Sequence, residues 1–504
     1  MILKEIKQIQ LFCGDAPTDG GKVEIEDNHI YVTADTVSFA EVTWAAEFPK
    51  TALFLGDAWE RSYGDLCFQP MAHAKHMPWY FAASVEGSSF YCGVKTQPNA
   101  FCAWSVTEDT VTLKMDLRCG GRPVQLSGRR LLAASVVTMS GGAYSFDLMK
   151  QFCAMLCDHP RLPEKPIYGG NDWYCCYGNN SEDTVLRHAE WIADCAPDGE
   201  NRPFMVIDDG WQRFHDGQAV ENGGYNGGPW EDCNGKFSSM EKVAREIKAR
   251  NVRPGIWLRP LITMERFDDT AYIKRGGGLK VLDPSVPCVI DKVKEDIARI
   301  REWGFELIKH DFTTYDVFGR WGYAMTPYVA DGDWSFADQK RTSAEIIMSL
   351  YAAISAAAGD ALILGCNTFG HLCAGLFHAQ RIGDDTSGTD FARTLKMGVN
   401  TLAFRGAQHG SFYAVDADCV GITEKIPWKY NRKWLELLAK SGTALFVSAA
   451  ESMDCGEVRA AVREAFAAAA QGTAEIAPRG ASVSPTPDLW KDGRGNEWNF
   501  CWKE

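Results

Sequence analysis

The sequence contains no run of about 18 consecutive apolar residues, the length that a helix needs to cross a membrane. It has no excess of positive charge either: 52 Lys and Arg face 66 Asp and Glu, giving a net charge of −14. Phosphate backbones and anionic lipid surfaces repel such a protein, so we exclude nucleic acid and membranes as its main partners. Residues 1–7 lack the apolar core and the small-residue cleavage site of a signal peptide, and we expect a cytoplasmic protein.

Regularly spaced cysteine pairs are also missing. The 17 cysteines are scattered along the chain, which is typical of reduced thiols and not of a disulfide framework. A structural zinc site would need two well-spaced pairs of cysteine or histidine, and neither Cys153 with Cys157 nor the adjacent Cys175 and Cys176 supplies them. We therefore expect no metal and no other cofactor.

The residues that are present belong to a large globular protein. The 504 residues are 46% hydrophobic and 23% charged, with no low-complexity segment, and a chain of this length is expected to form two or three domains. Tryptophan is frequent, with 17 residues. Tryptophan suits the flat apolar faces of sugars, although large cores use it too.

Residues 1–160 show the patterning of an antiparallel β-sandwich. Alternating apolar residues on both sides of the polar turn 26–29 predict a hairpin, and residues 109–119 alternate in the same way along a longer strand. Three prolines within 160–166 mark a boundary, because proline interrupts regular structure. We assign residues 1–160 to an N-terminal β-sandwich domain.

From residue 167 onward, short apolar strands alternate with helices, a pattern that predicts a parallel sheet with helical crossovers. The predicted strands cover 167–173, 204–208, 253–258, 305–311, 362–366, 377–383, 412–415 and 443–448. Two of the intervening helices, 240–249 and 289–303, carry apolar residues at helical spacing. This arrangement is typical of a (β/α)₈ TIM barrel, here over residues 161–450. Residues 451–504 are expected to add a short C-terminal helix and a β extension.

Charged residues cluster where four of these strands end. They are Asp208, Asp209, Lys309, Asp311, Arg381, Asp384, Asp385, Asp416 and Asp418. The carboxyl ends of barrel strands meet on one face, where active sites are built, and several carboxylates held together there are costly unless a ligand uses them. Lysine and arginine between the carboxylates argue against a divalent metal. Sugar hydroxyls, in contrast, form hydrogen bonds with groups of either charge, so we expect a site in which two carboxyl groups cleave a glycosidic bond.

Six short motifs follow one another through this region, at 206–212, 236–237, 255–258, 282–284, 309–311 and 383–384. In order and spacing they resemble the motifs of the clan D glycoside hydrolases, most closely the α-galactosidases of families 36 and 27. The resemblance covers about residues 168–420. It implies a retaining glycosidase with an N-terminal β-sandwich that acts on an oligosaccharide or glycoside without a cofactor, and it allows a homo-oligomer.

By this resemblance Asp311 is the catalytic nucleophile and Asp384 is the acid/base. Aligning on Arg381 instead moves the acid/base role to Asp385, and this alternative stays open. The remaining positions are implied to contact the sugar: Asp208 and Asp209 at its O4 and O6 hydroxyls, Lys309 and Arg381 at other ring hydroxyls, Cys366 and Asn367 at its 2-position, and Trp173, Trp257 and Asp385 along the pocket.

The sequence departs from the family pattern after the fifth strand, where residues 366–370 lack the Ser/Gly-rich run of family 36. The substituent at the 2-position of the sugar therefore stays open. An α-N-acetylgalactosaminidase, an α-glucosidase and a raffinose-synthase-like transglycosidase are alternatives within the clan. A non-catalytic sugar-binding protein and a metal-dependent barrel lyase are alternatives outside it. Trp59, Arg61 and Tyr63 form a cluster in the N-terminal domain that can reach the barrel mouth.

Overall fold

The computed structural model describes residues 3–215, 225–275, 279–472, 475–480 and 484–502. Its first part is built from antiparallel strands and ends in one helix. The elements are β1 (Ile6–Cys13), β2 (Ala16–Thr18), β3 (Gly21–Glu26), β4 (His29–Ala34), β5 (Thr36–Val37), β6 (Phe39–Ala45), β7 (Leu53–Gly56), β8 (Gln69–Pro70), β9 (Met77–Pro78), β10 (Tyr80–Val85), β11 (Ser88–Val94), β12 (Phe101–Val106), β13 (Thr110–Asp116), β14 (Val124–Gln125), β15 (Arg130–Gly141) and α1 (Phe146–Leu156).

Two antiparallel sheets form this part, as the alternating pattern predicts. One has the strand order β2-β1-β6-β13-β12-β9 and the other the order β3-β4-β15-β11-β10-β7-β8. Along β13 every second side chain is buried, which confirms the predicted strand. The predicted hairpin joins β3 to β4 through Asp27 and Asn28, both with positive φ, as a two-residue type I′ turn requires.

Helix α1 was not predicted, because the whole of residues 1–160 was assigned to strands. Ser145 caps its N-terminus by accepting a hydrogen bond from the Leu148 N–H. Its buried face consists of Met149, Phe152, Cys153 and Leu156. These side chains cover one face of the seven-stranded sheet, where the Phe152 ring lies 5.3 Å from the ring of Tyr91.

The second part is a parallel barrel. Its strands are β16 (Tyr168–Asn171), β17 (Phe204–Ile207), β18 (Arg253–Leu258), β19 (Leu307–His310), β20 (Leu362–Gly365), β21 (Ala379–Arg381), β22 (Ala414–Asp416), β23 (Val420–Ile422) and β24 (Leu445–Ala449). They pair in the order β22-β21-β20-β19-β18-β17-β16-β24-β23. An additional bridge between Asp416 and Ala444 joins β22 to the start of β24 and closes the ring.

Helices and short helical turns connect these strands. They are α2 (Trp173–Cys176), α3 (Glu182–Cys195), α4 (Met240–Ala249), α5 (Pro287–Glu302), α6 (Thr313–Phe318), α7 (Ser343–Ala358), α8 (Gly370–Cys373), α9 (Phe391–Thr394), the π-helical turn Leu395–Val399, α10 (Asn400–Arg405) and α11 (Trp428–Ser441). None of the helices in the described part of the chain combines the length and apolarity needed to cross a bilayer.

The predicted TIM barrel is confirmed, with each predicted strand overlapping an observed one. Strand β18 has the predicted bounds, and helix α4 does as well. Strand β23 was not predicted, because three residues next to Asp416 and Asp418 give too short a pattern. It pairs outside the ring with β24.

The last part contains helix α12 (Gly456–Gln471) and a small antiparallel sheet of β25 (Ile476–Pro478), β26 (Leu489–Asp492) and β27 (Glu497–Asn499). This confirms the short helix and β extension. Trp490 and Trp502 are nearly fully buried and attach the extension to the rest of the protein. The exact division into domains at residues 160 and 450 stays a prediction.

A short segment of the N-terminal part, residues 57–63, is inserted into the barrel mouth. The Ser62 N–H donates to the carbonyl of Ile382 and the Asp384 N–H donates to the carbonyl of Ser62, each at 2.9 Å. At the base of the segment, Asp57 forms a buried ion pair with Arg405 at 2.7 Å, and both side chains are 2% exposed. Arg405 also donates hydrogen bonds to the carbonyls of Glu60 and Ile382. One buried arginine therefore contacts both the inserted segment and the residue that follows strand β21.

We expect Asp57→Asn to lower the free energy of unfolding by about 3 kcal/mol or more, because it leaves the charge of Arg405 buried without a partner. Urea denaturation of the variant and the wild type measures the difference. Asp333→Asn, at an exposed ion pair with Arg122, is the matched control and should leave the midpoint unchanged. An equal effect of both changes would mean that the buried pair does not hold the segment.

Candidate active site

A cavity of about 1050 Å³ opens at the carboxyl ends of the barrel strands. Eight of the residues predicted for the site line it: Trp173, Asp208, Asp209, Trp257, Lys309, Asp311, Asp384 and Asp385. They lie at the carboxyl ends of strands β16, β17, β18, β19 and β21 or directly after them, as the barrel geometry requires. Arg61 and Tyr63 of the inserted segment also line it, so the predicted contact between the N-terminal domain and the barrel mouth is present.

Asp311 lies directly after β19 and is 7% exposed. Its Oδ2 accepts a hydrogen bond from Trp257 Nε1 at 3.0 Å, and its Oδ1 accepts one from the Phe312 N–H at 2.7 Å. Burial alone would raise the pKa of Asp311, but the charges of Lys309 and Arg61, together with these two donors, hold it below its usual value. Phe312 has a φ of 62°, a left-handed conformation that is uncommon for a bulky residue.

Lys309 and Asp208 form a buried pair at the floor of the cavity. Lys309 Nζ lies 2.6 Å from Asp208 Oδ2, and the same oxygen accepts a hydrogen bond from Asn171 Nδ2, also at 2.6 Å. Burial would lower the pKa of Lys309, but the charge of Asp208 raises it well above its ordinary value, so the side chain is protonated. Asp172 completes the arrangement by accepting the Asp208 N–H at 2.7 Å.

Asp209 has a different environment from its neighbour. Its carboxyl accepts hydrogen bonds from Gln212 Nε2 at 2.6 Å and from Asn226 Nδ2 at 3.2 Å. Burial nevertheless raises the pKa of Asp209 to about 6. Gly210 follows with a φ of 126°, and a Cβ there would lie 2.4 Å from the carbonyl oxygen of Gly178. The glycine of the Asp-Asp-Gly motif therefore sets the turn that aims both carboxyl groups.

Asp384 and Asp385 lie after β21. This strand is four positions away in the barrel from β17, the strand that Asp208 follows. Asp384 is paired with two arginines, Arg61 at 3.1 Å and Arg393 at 2.7 Å. Asp385 has weaker contacts with Arg381 at 3.3 Å and with Arg61 at 3.6 Å. Partial burial, together with the negative charges of Asp384 and Asp418, raises the pKa of Asp385 to about 6 against the opposing charges of Arg61 and Arg381.

Arg381, Cys366 and Asn367 are not among the residues that line the cavity. Arg381 is 3% exposed and is held by Asp416 at 3.0 Å and Asp418 at 2.7 Å. The Asn367 amide donates to Glu60 and accepts the Tyr315 N–H, which uses both ends of the amide. The contacts of these three residues with a sugar stay a prediction.

Glu60 and the aromatic residues at the cavity mouth were not found from the sequence. Glu60 is fully buried and accepts hydrogen bonds from Tyr63 and from the Gly322 N–H. The rings of Tyr315 and Trp321 stack at 4.3 Å, and Arg61 lies 5.3 Å from the Trp321 ring centre. Tyr323, 62% exposed, lies beside them. We call Tyr315, Trp321 and Tyr323 the aromatic shelf; all three line the cavity.

No family model matches the sequence, and no curated protein matches it. Solved structures match over nearly the whole chain. TtGalA, an α-galactosidase from Thermus thermophilus in complex with p-nitrophenyl α-D-galactopyranoside, superposes with a TM-score of 0.64 at 17% identity, covering 98% of this chain and 99% of that one.

The GH36 α-galactosidase AgaA from Geobacillus stearothermophilus, in complex with 1-deoxygalactonojirimycin, gives a TM-score of 0.59 at 14% identity, over 97% of this chain and 77% of that one. A cycloalternan-degrading enzyme from Trueperella pyogenes gives 0.54 at 13% identity, over 95% and 76%. The protein thus has the fold of the GH36 α-galactosidases, N-terminal sandwich included, which confirms the architecture expected from the motifs.

We expect Asp209→Asn to change the pH dependence of stability. The folded state keeps the Asp209 proton up to about pH 6, whereas the unfolded chain releases it near pH 3.9. This carboxyl therefore lowers wild-type stability as pH rises between about 4 and 6. Relative to wild type, the free energy of unfolding of the variant should rise by up to about 3 kcal/mol between pH 4 and pH 7.5.

Urea denaturation across this pH range measures the difference between the two proteins. Glu200→Gln, at a side chain that is 94% exposed, is the control and should show no such trend. A constant difference between Asp209→Asn and wild type would mean that Asp209 titrates as it does in the unfolded chain.

Proposed function

We propose that this protein is a retaining glycoside hydrolase that releases a terminal α-linked galactose by a two-carboxylate double displacement. The observation that carries the proposal is that carboxyl groups from two barrel strands line one cavity: Asp311 after β19, and Asp384 and Asp385 after β21. The pKa of Asp311 is held below its usual value, and the pKa of Asp385 is raised to about 6. An ionised nucleophile and a protonated acid are the two states that such a displacement needs at its start.

Asp311 is the nucleophile in this proposal. Lys309 and Arg61 keep it ionised, and the hydrogen bond from Trp257 fixes one carboxylate oxygen. The other oxygen is held by the Phe312 N–H, so the carboxylate does not need to reorient before attack. It attacks the anomeric carbon and forms a covalent glycosyl-enzyme, which water then hydrolyses.

For the acid/base we propose Asp385, the alternative left open by the sequence, in place of Asp384. Asp384 is held between two arginines, with Arg61 paired to its Oδ1 and Arg393 to its Oδ2. Asp385 keeps its proton up to about pH 6 and has 40% of its side chain exposed toward the cavity. Asp385 gives its proton to the leaving oxygen and later takes one from the attacking water, while Asp384 positions Arg61.

The sugar ring is proposed to lie between the floor of the cavity and Trp173. Lys309, Asp208 and Asp209 present one cation and two carboxyl groups to vicinal hydroxyls, and charged hydrogen-bonding groups recognise such hydroxyls strongly. Trp173 offers an apolar face at the cavity wall. Galactose is favoured as the sugar because neighbours of this fold hold p-nitrophenyl α-D-galactopyranoside and stachyose.

The aromatic shelf is proposed to take the remainder of the glycoside. The cavity is larger than one sugar ring requires, and Tyr315, Trp321 and Tyr323 line part of it, with Tyr323 62% exposed. Stacked aromatic rings bind the apolar faces of a second sugar unit. We therefore favour an α-galactosyl oligosaccharide as the substrate.

A panel of α- and β-nitrophenyl glycosides, with the first-formed anomer followed by NMR, tests the function. We expect turnover of the α-galactoside and release of α-galactose. Release of the β-anomer would contradict retention, and turnover surviving Asp311→Ala would contradict the nucleophile assignment. Asp311→Ala should lower kcat by roughly 10³-fold or more.

The pH profile should separate the two adjacent aspartates. The value of kcat/KM requires ionised Asp311 and protonated Asp385, so it should fall on the alkaline side as pH rises through about 6. Asp385→Asn should abolish this alkaline limb and should slow substrates with poor leaving groups more than dinitrophenyl substrates. Asp384→Asn is the matched variant and should keep the limb. The reverse pattern would return the acid/base role to Asp384.

Trp321→Ala should raise KM for an α-galactosyl oligosaccharide by roughly 2- to 10-fold, because stacking on one aromatic ring contributes about 0.5–1.5 kcal/mol. Inhibition by free galactose is the internal control and should not change, since the shelf lies outside the proposed galactose site. An equal loss of oligosaccharide and galactose binding would mean that the shelf acts by shaping the cavity floor.

A further inference from the structure

We propose that Cys175 and Cys176, together with His188, form a dithiol site that reacts with hydroperoxides and closes to a reversible disulfide. The site is separate from the proposed carboxylate chemistry. It lies behind Trp173, on the short helix α2 that follows the first barrel strand.

The geometry brings two sulfur atoms and an imidazole together. The Sγ atoms of Cys175 and Cys176 are 3.7 Å apart, and the two ring nitrogens of His188 lie 3.8 and 3.9 Å from Cys175 Sγ. His188 comes from the neighbouring helix α3 and Ser448 from the last barrel strand, whose Oγ donates to Cys175 Sγ at 3.5 Å. Three elements therefore converge on one thiol.

The two cysteines have different electrostatic surroundings. Contact with the Cys176 sulfur, together with His188 and Ser448, lowers the pKa of Cys175 to about 5 against the opposing effect of burial. Cys175 Sγ also lies 3.4 Å from the carbonyl oxygen of Asp172. The pKa of Cys176 is raised by the same contact and by burial. The remaining charges that act on the pair are Asp172, which raises the pKa of Cys176, and Lys236, which lowers it. Two sulfur atoms in contact with each other and with an imidazole form an arrangement that favours a thiolate at one of the two cysteines.

Cys175 and Cys176 are both partly exposed. Both side chains are half-buried, whereas Cys92 and Cys102 are fully buried and burial raises their pKa. His188 also lines a cavity of about 340 Å³ on the outer surface, next to Ala449 and Ala450. Among the cysteines, partial exposure and a histidine partner thus coincide at Cys175, which is the environment of a reactive thiol.

The reaction balances without a cofactor. The Cys175 thiolate attacks the peroxide, a sulfur–oxygen bond forms, the oxygen–oxygen bond breaks, and the departing alkoxide takes a proton from His188. Cys176 sulfur then attacks the sulfenic acid, the sulfur–oxygen bond breaks, and the hydroxide that leaves takes the Cys176 proton to form water. Two thiols and one hydroperoxide give one disulfide, one alcohol and one water.

The disulfide is expected to be reducible and to disturb the cavity. Adjacent Cα atoms are about 3.8 Å apart, closer than the usual span across a disulfide, so the bond is strained. To close it, helix α2 must rearrange, and this helix carries Trp173 and is preceded by Asp172, which holds Asp208. Oxidation should therefore weaken sugar binding, a consequence that rests on the proposed function.

Peptide mass spectrometry of the intact protein after treatment with hydrogen peroxide tests the proposal. Trypsin releases residues 162–187, because the Lys165–Pro166 bond resists cleavage, and Cys175 and Cys176 are the only cysteines in this peptide. We expect it to lose two hydrogen atoms and to recover them with dithiothreitol. Cys176→Ser should instead leave a sulfenic acid at Cys175 that dimedone traps.

Iodoacetamide at pH 6 gives a second readout that does not depend on oxidation. Cys175 should react roughly tenfold faster than the exposed Cys67, since its larger thiolate fraction outweighs the lower nucleophilicity of a low-pKa thiol. His188→Asn should remove most of this advantage. Equal rates at Cys175 and Cys67, or a peptide that peroxide leaves unchanged, would overturn the proposal.

Galactose binding before and after oxidation tests the link to the cavity. We expect weaker binding after oxidation, restored by dithiothreitol, and no change in Cys175→Ser. A disulfide that forms without altering binding would overturn the link and leave the dithiol chemistry standing. Absence of galactose binding by the reduced protein would count against the proposed function and not against the dithiol site.

Discussion

Burial of charge at the carboxyl ends of the barrel strands is the constraint on which this site depends. Lys309, Arg381 and Arg61 are 6%, 3% and 5% exposed, and a buried cation without a partner is strongly destabilising. Each is compensated by carboxylates from other parts of the chain: Lys309 by Asp208, Arg381 by Asp416 and Asp418, and Arg61 by Asp384 and Asp385. The cavity and its charge pattern therefore form together, and only once the barrel is closed.

The N-terminal sandwich takes part in this charge balance. Its segment 57–63 extends the barrel mouth through the hydrogen bonds of Ser62 and brings Arg61 to the two aspartates after β21. Glu60, inside the same segment, holds Asn367, which in turn accepts the N–H of Tyr315 on the aromatic shelf. One short stretch of the sandwich thus fixes both the charges within the cavity and the rings at its mouth.

The fold was largely predictable from the sequence because its signals are local. Short apolar runs and amphipathic helices predicted the barrel strands to within a few residues. Helix α1 was missed because residues 1–160 were all assigned to strands, although its apolar residues recur at helical spacing. Strand β23 was missed because three residues are too few to show a periodic pattern.

The position of a residue on the cavity was predictable where it follows from a place at a strand end, as for Asp208, Lys309 and Asp311. It was not predictable where a partner distant in sequence decides the role. The side-chain amide of Asn367 donates a hydrogen bond to Glu60, which lies 307 positions away in the sequence. Arg381 forms ion pairs with Asp416 and Asp418, at the end of the next strand. Neither Asn367 nor Arg381 is among the residues that line the cavity. Side-chain pairing of this kind depends on the closed fold and leaves no local pattern.

Adjacent identical residues take different roles twice in this structure, and the cause is the same. Asp384 forms ion pairs with two arginines, Arg61 and Arg393. The pKa of the adjacent Asp385 is raised by partial burial and by the negative charges of its neighbours. Cys175 contacts His188 and Ser448 as well as Cys176, whereas burial and the contact with Cys175 raise the pKa of Cys176. In both pairs the chain supplies two equal groups side by side, and partners from other elements give the two groups different surroundings. Because such a pair shares one local sequence environment, the roles within it follow from tertiary contacts and not from a motif.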